Sequence, residues 1–127
     1  MDRTFPKIEK LKSKKLIEKL FAEGKSISHY PLRLVYMKTS FEDGTKVRAA
    51  VTASKRNFKS AVKRNRIKRL MRESYRLNKH LVIDNNEDSY ALMFLYLGKE
   101  MPTYGMLYDS LGAILKKLVS AEKSGKQ

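Results

Sequence analysis

The chain has 127 residues, enough for one domain and too few for two sizeable cores. Its 28 Lys and Arg against 13 Asp and Glu give a net charge of +15, beyond what solubility requires, which points to a polyanionic partner. An apolar content of 42% argues against wholesale disorder, and the absence of cysteine excludes disulfides, thiolate zinc sites, iron–sulfur ligation and a cysteine nucleophile.

Residues 1–12 read as a basic arm with no apolar stretch of the secretory kind. Ser13 is an N-cap candidate, Leu16, Ile17, Leu20 and Phe21 recur at helical spacing, and Gly24 suits a C′ position, so a helix is expected over 13–23. Residues 31–39 read as a strand, with Leu32, Leu34 and Tyr36 on one face and Arg33, Val35 and Met37 on the other. Glu42-Asp43-Gly44 is a turn signal and 46–54 a second strand, which makes 31–54 a hairpin. A helix follows over 58–80, then a polar loop at Asp84–Asp88. Ser89–Leu97 is almost wholly apolar, as a strand buried on both faces should be. Thr103 is an N-cap candidate for a last helix whose stripe is Tyr104, Leu107, Tyr108, Leu111, Ile114, Leu115 and Leu118. Residues 122–127 read as a polar, frayed tail.

The expected class is therefore α+β, a single domain over 1–127 in α-β-β-α-β-α order. The strands on either side of the 58–80 helix should lie parallel in a small sheet. Helices cover one face, and the other face or a flanking groove stays open. No apolar run approaches the roughly 20 residues that span a bilayer, so a cytoplasmic protein without a membrane partner is expected.

The charge is concentrated. Residues 55–79 hold eleven Lys and Arg and one acid, Glu73, so two-thirds of the net charge lies in one-fifth of the chain. A solvated helix face mixes signs in i,i+4 pairs, and this one barely does. On a helical wheel Leu70, Met71, Ser74, Leu77 and Leu81 fall within about 80° of Ile67, while Asn65, Lys68, Arg69, Arg72 and Arg76 fall on the opposite arc, flanked by Arg64 and Arg66. One face is core and the other a basic spine. Arginine forks match phosphate geometry, and Asn65 can bond a phosphate, a 2′-hydroxyl or a base. Such a helix suits a structured RNA and could also enter a DNA major groove.

Nothing in the chain reads as a catalytic centre. His29 and His80 are far apart in sequence and read as surface residues; Asp84–Asp88 reads as ordinary loop chemistry and not as a metal site; Glu73 reads as a partner of Arg69 and Arg76. No Gly-rich phosphate loop or Gly-x-Ser-x-Gly elbow occurs.

The run Lys63-Arg64-Asn65-Arg66-Ile67-Lys68-Arg69-Leu70 resembles the Arg-Asn-Arg signature of the bacterial ribonuclease P protein subunit, and so do Ser54-Lys55-Arg56-Asn57 before it and Arg72-Glu73-Ser74-Tyr75-Arg76 after it. The likeness extends to the Leu20-Phe21-x-x-Gly24 helix end and the final amphipathic helix. It implies a protein component of the ribonucleoprotein endonuclease that removes the 5′ leader from precursor tRNA. It further implies a left-handed βαβ crossover, an exception to the usual hand. The catalytic Mg2+ ions would lie in the partner RNA, with no cofactor held by the protein, and the subunit would be a monomer in the holoenzyme. Carried over by position, Lys55, Arg56, Arg64, Asn65, Arg66, Lys68 and Arg69 would contact RNA, and the charge footprint adds Lys59, Lys63, Arg72 and Arg76. The family's leader-binding cleft, between the first helix and the sheet, falls on Ile17, Phe21 and Val35, where only Phe21 keeps a ring; Tyr30 or Tyr36 would have to supply another. The spacing of Ile17 and Phe21 suits an ordinary core equally well.

Three rivals share parts of this pattern. A ribosomal-type structural RNA-binding protein would share charge and size. A DNA-binding regulator would need two short helices joined by a tight turn, where this chain flanks its basic helix with strands. A self-sufficient nuclease would need the acid–base or metal groups that are missing from the pattern.

Overall fold

The computed structural model describes residues 9–84 and 88–124. Ser13 caps the first helix, α1 (Lys14–Glu23), its hydroxyl accepting from the Leu16 amide at 3.2 Å. Gly24 ends it, but not as a left-handed residue: its φ is −71°. Glycine is needed for close approach instead, since a Cβ would stand 3.0 Å from the Tyr36 carbonyl oxygen and 3.1 Å from Val35 Cγ1. The chain turns directly into β1 (Lys25–His29), which the sequence pattern missed, and then into β2 (Leu32–Lys38). After a loop come β3 (Val47–Ala53), α2 (Ala61–Asn78), the short α3 (His80–Ile83), β4 (Tyr90–Tyr96) and α4 (Tyr104–Ser124). Among the described residues no helix is long and apolar enough to cross a membrane.

The four strands form one sheet in the order β1-β2-β4-β3. β3 and β4 are parallel, in register from Val47↔Tyr90 to Ala53↔Tyr96, as a crossover through α2 demands. The expected hairpin over 31–54 does not form. The turn signal is real, with Gly44 at φ 80°, but β4 sits between β2 and β3 and pairs antiparallel with β2. The actual hairpin is β1–β2, joined at Tyr30-Pro31. β1 is hard to see in the residue pattern because 25–29, Lys-Ser-Ile-Ser-His, has a single large apolar residue, and an edge strand needs no more.

Strand alternation sends the sheet's side chains into two cores. Leu32, Leu34, Tyr36, Val47, Ala49, Tyr90, Leu92, Phe94 and Tyr96 face α2 and α4, which contribute Ile67, Met71, Tyr75, Leu107, Leu111, Ile114, Leu115 and Leu118. Val35, Ala91 and Met93 face the other way, under Leu11 and Leu20, with Leu16 and Ile17 of α1 packed beside them. β4 is buried along nearly its whole length on both faces. The buried face of α2 is Ile67, Met71, Ser74, Tyr75 and Asn78, whereas Leu70 and Leu77 are half-buried at its edge. Tyr75 packs against Phe94 of β4, with ring centroids 5.6 Å apart and planes tilted by 50°.

The segments at either end of the described residues are better anchored than composition suggests. Of the arm expected at 1–12, residues 1–8 lie outside the described ones. Leu11, however, is buried and donates its amide to Ala49 O at 2.9 Å, and Glu9 pairs with the buried Lys79 at 2.9 Å. The polar tail expected from residue 122 begins inside α4. Glu122 is buried, accepts from Tyr90 Oη at 3.0 Å and Tyr36 Oη at 3.3 Å, and lies 3.7 Å from Lys25 Nζ. A carboxylate that takes two buried phenols cannot fray without leaving both unsatisfied.

Two outcomes follow from this packing. Ile67→Ala should lower unfolding stability by about 2–5 kcal/mol in denaturant titrations, and Leu70→Ala by clearly less, because Leu70 is only half-buried. Burial and the Glu122 carboxylate push the Tyr36 and Tyr90 phenols above their ordinary value. The unfolded chain therefore releases those protons first, near pH 10. Their stabilising contribution is complete below about pH 10 and is lost as pH rises through the folded-state values. Melting temperatures measured across alkaline pH should fall there, and less steeply in Tyr36→Phe/Tyr90→Phe.

Candidate nucleic-acid interface

The basic helix is assembled from its N-terminal side. β3 ends at Ala53, and the Ser54 hydroxyl accepts from the amides of Arg56 (3.1 Å) and Asn57 (3.4 Å), closing a side-chain turn. Asn57 Nδ2 donates to the carbonyls of Leu97 and Gly98, both at 3.3 Å, which ties this turn to the end of β4. Phe58 is buried against Tyr96, with ring centroids 6.0 Å apart. Ser60 then caps α2, accepting from the Lys63 amide at 3.3 Å. The helix thus starts at Ala61, three residues later than the expected 58, because Phe58 is spent on the core. Arg64 folds back over this turn and donates from Nη1 to the carbonyls of Phe58 (2.7 Å) and Lys59 (2.9 Å).

Every basic residue expected at the interface lies outside the core. Lys55, Arg56, Lys59, Lys63, Asn65, Arg66, Arg69 and Arg72 are exposed, and Arg64, Lys68 and Arg76 are half-buried. Arg76 pairs with Glu73, whose carboxyl it holds below the usual range. Lys79, the last cation of the charge run, is withdrawn from this face by its buried pair with Glu9. No acid sits in the first turn of α2, so Lys59, Lys63 and Arg64 crowd the positive end of a helix dipole. That arrangement is unfavourable on its own and is relieved by an anion.

Beside the N-terminal half of α2 runs a groove lined by Thr52, Ala53, Ser54, Lys55, Arg64, Lys68, Leu95, Tyr96 and Leu97. Sequence reasoning missed its floor. Arg33, Leu95 and Thr52 form one rung across β2, β4 and β3, on the sheet face shared with α1. Arg33 is exposed, and Leu95 and Thr52 are half-buried. The next rung, Val35, Met93 and Ala50, is closer to closed. Strand alternation would have placed Thr52 and Leu95 on one face; only the order of the strands puts them side by side.

The residues expected in a cleft between α1 and the sheet, Ile17, Phe21 and Val35 with Tyr36 as a replacement ring, separate. Tyr36 is excluded: it points to the opposite face of the sheet and is buried against Glu122 and Tyr90. Val35 is 6% exposed and Ile17 is half-buried on the same cluster, so both act chiefly in packing. Phe21 is 51% exposed, one helical turn farther along α1, and is the aromatic surface that remains. Tyr30, named as a possible replacement ring, is 75% exposed at the β1–β2 turn.

Among the described residues no three of His, Asp and Glu come together as a metal-binding group. His29 ends β1 and His80 opens α3, both partly exposed. The middle of the Asp84–Asp88 loop, residues 85–87, lies outside the described residues.

Comparison with known proteins gives this geometry its context. A family model described as Ribonuclease P matches residues 5–119. The ribonuclease P protein component of Porphyromonas gingivalis is 42% identical over 101 residues, covering 77% of this chain and 74% of that protein. Its counterpart in Chlorobium phaeobacteroides is 32% identical over 129 residues, covering 91% and 88%. Among solved structures, the ribonuclease P protein from Thermotoga maritima shares the fold with a TM-score of 0.70 at 21% identity, over 86% of this chain and 96% of that one. The Staphylococcus aureus protein does so with a TM-score of 0.69 at 19% identity, over 87% and 94%. With a family model spanning most of its length and relatives above 30% identity along most of theirs, the chain belongs to the ribonuclease P protein family, protein components of an endoribonuclease of tRNA processing.

Proposed function

We propose that this protein is the RNA-binding subunit of ribonuclease P, holding the catalytic RNA along α2 and the 5′ leader of precursor tRNA along the α1 face of the sheet. One observation carries the reading: the exposed cations of α2 form a continuous face that opens at its N-terminal end onto the groove of Thr52, Leu95, Arg64 and Lys68. Guanidinium forks supply phosphate contacts, and these position an RNA without reading its sequence. The Arg33–Leu95–Thr52 rung extends that groove across the sheet face that α1 shares, a path suited to a single strand. The bond-breaking chemistry, with its Mg2+, belongs to the partner RNA in this reading. The protein contributes binding and orientation, as a monomer in the cytoplasm.

Two measurements test it. If roughly six phosphates are neutralised, the affinity for the ribonuclease P RNA should fall with a log–log salt slope of about −4 to −5, and Arg66→Ala should make that slope shallower by about one without lowering the melting temperature. A slope near zero overturns the phosphate-dominated reading. In the reconstituted holoenzyme, Phe21→Ala should weaken binding of precursor tRNA carrying a leader by about fivefold or more while leaving mature tRNA unchanged. Phe21 is half exposed, so the variant should fold; an unchanged ratio of the two affinities would remove Phe21 from the leader path.

A further inference from the structure

The two tyrosines that head the amphipathic stripe of α4 are absent from the core it builds. Leu107 and Leu111 are sealed, but Tyr104 and Tyr108 are each 38% exposed, with ring centroids 6.0 Å apart and planes tilted by 42°. Their position is rigid because α4 is pinned to the C-terminal half of α2. Buried Asn78 donates from Nδ2 to Ser74 O at 3.0 Å on its own helix and to Tyr108 O at 3.2 Å on the other. Gly112 permits the approach: a Cβ there would stand 3.2 Å from Asn78 Oδ1. The Asn78 bond thus sets the pair beside the C-terminal half of α2, and Tyr104 lies within electrostatic reach of the Glu73–Arg76 ion pair on that helix.

A rigid, half-exposed aromatic pair at the edge of a row of guanidinium groups fits a nucleobase better than it fits a protein side chain. The phenol rings offer π-faces of matching size, and the cations of α2 lie on the helix to which Asn78 ties the pair. Taking α2 as the RNA-binding element, as proposed above, we propose that Tyr104 and Tyr108 form a stacking platform for one or two unpaired nucleotides of the RNA whose backbone lies along α2. The site is separate from the groove at the other end of that helix. Phosphate contacts set the register of the RNA, and the platform selects a point on it where bases are unpaired.

The test uses the intact protein and the transcribed ribonuclease P RNA from the same genome. Binding is measured over a salt series for wild type, Tyr104→Ala/Tyr108→Ala, Tyr104→Phe/Tyr108→Phe, Tyr104→Leu/Tyr108→Leu and Arg66→Ala. The Ala and Leu pairs should lose about tenfold or more in affinity with the salt slope unchanged, since no charge is removed. The Phe pair should stay close to wild type, because it keeps both rings. If the Ala pair fails to fold, the Leu pair, which retains apolar volume, is read in its place. Wild-type affinity in the Ala and Leu pairs, alongside weakened Arg66→Ala, overturns the platform and leaves α2 as the RNA-binding element. A change in the protein's mass by light scattering in the Ala or Leu pair, at constant RNA affinity, assigns the tyrosines to self-association and overturns it too. Absence of RNA binding in the wild type removes both the platform and the reading beneath it.

Discussion

Strand β4 holds the molecule together. It pairs parallel with β3 on one side and antiparallel with β2 on the other, and nearly all its side chains are buried. A parallel neighbour cannot be reached through a tight turn, so the chain between β3 and β4 has to leave the sheet and return along it. It returns as α2, held down by Ile67, Met71 and Tyr75 against the row that includes Phe94 and Tyr96. One face of α2 is thereby committed to the core and the other to solvent. Because β3 and β4 run the same way, their C-terminal ends lie together. The chain enters α2 there, which is why Lys55, Arg64 and Lys68 meet Leu95 and Thr52 in a single groove.

The charge on α2 is costly to the isolated protein. Nine Lys and Arg lie between Lys59 and Lys79 with Glu73 as the only acid, and no acid sits at the positive end of the helix dipole. The fold offsets little of this. Arg64 gives two hydrogen bonds to the carbonyls of Phe58 and Lys59, Arg76 holds Glu73, and Lys79 is drawn inward to Glu9. Of the remaining cations all but Lys68, which is half-buried, are exposed, and a bound polyanion would relieve both their mutual repulsion and the adverse dipole contact. The same logic explains the care spent on the turn before α2. Ser54, Asn57 and Phe58 fix the start of the helix against the end of β4, so the cations are presented in one geometry.

Several elements could be read from residue pattern because local chemistry decides them. The serine and threonine caps at Ser13 and Thr103, the stripe of α4 and the double-sided burial of β4 are of this kind. So was the basic arc of α2, since the 3.6-residue period that defines a core face defines its opposite too. Readings failed where contact between distant segments decides. The Glu42-Asp43-Gly44 turn looked like a hairpin because nothing near it shows that β4 will insert between β2 and β3. Tyr36 cannot replace a ring beside Val35, since alternation separates neighbours on a strand, and its partner Glu122 stands 86 residues away. Glu122 itself read as part of a polar tail, because a buried carboxylate is recognisable only by the phenols that meet it.

By itself, then, the amino-acid sequence determined the secondary structure of the long elements, the parallel crossover and the basic face of α2, since each rests on the local pattern of side chains or on a count of charges. Only the tertiary structure decided the order of the strands, the groove floored by Leu95 and Thr52, and which aromatics remain open. It buries Tyr36, leaves Phe21 half exposed, and keeps Tyr104 and Tyr108 out of the core. Exposure is a property of what packs against a residue, and for each of these side chains the neighbour that settles it comes from another part of the chain.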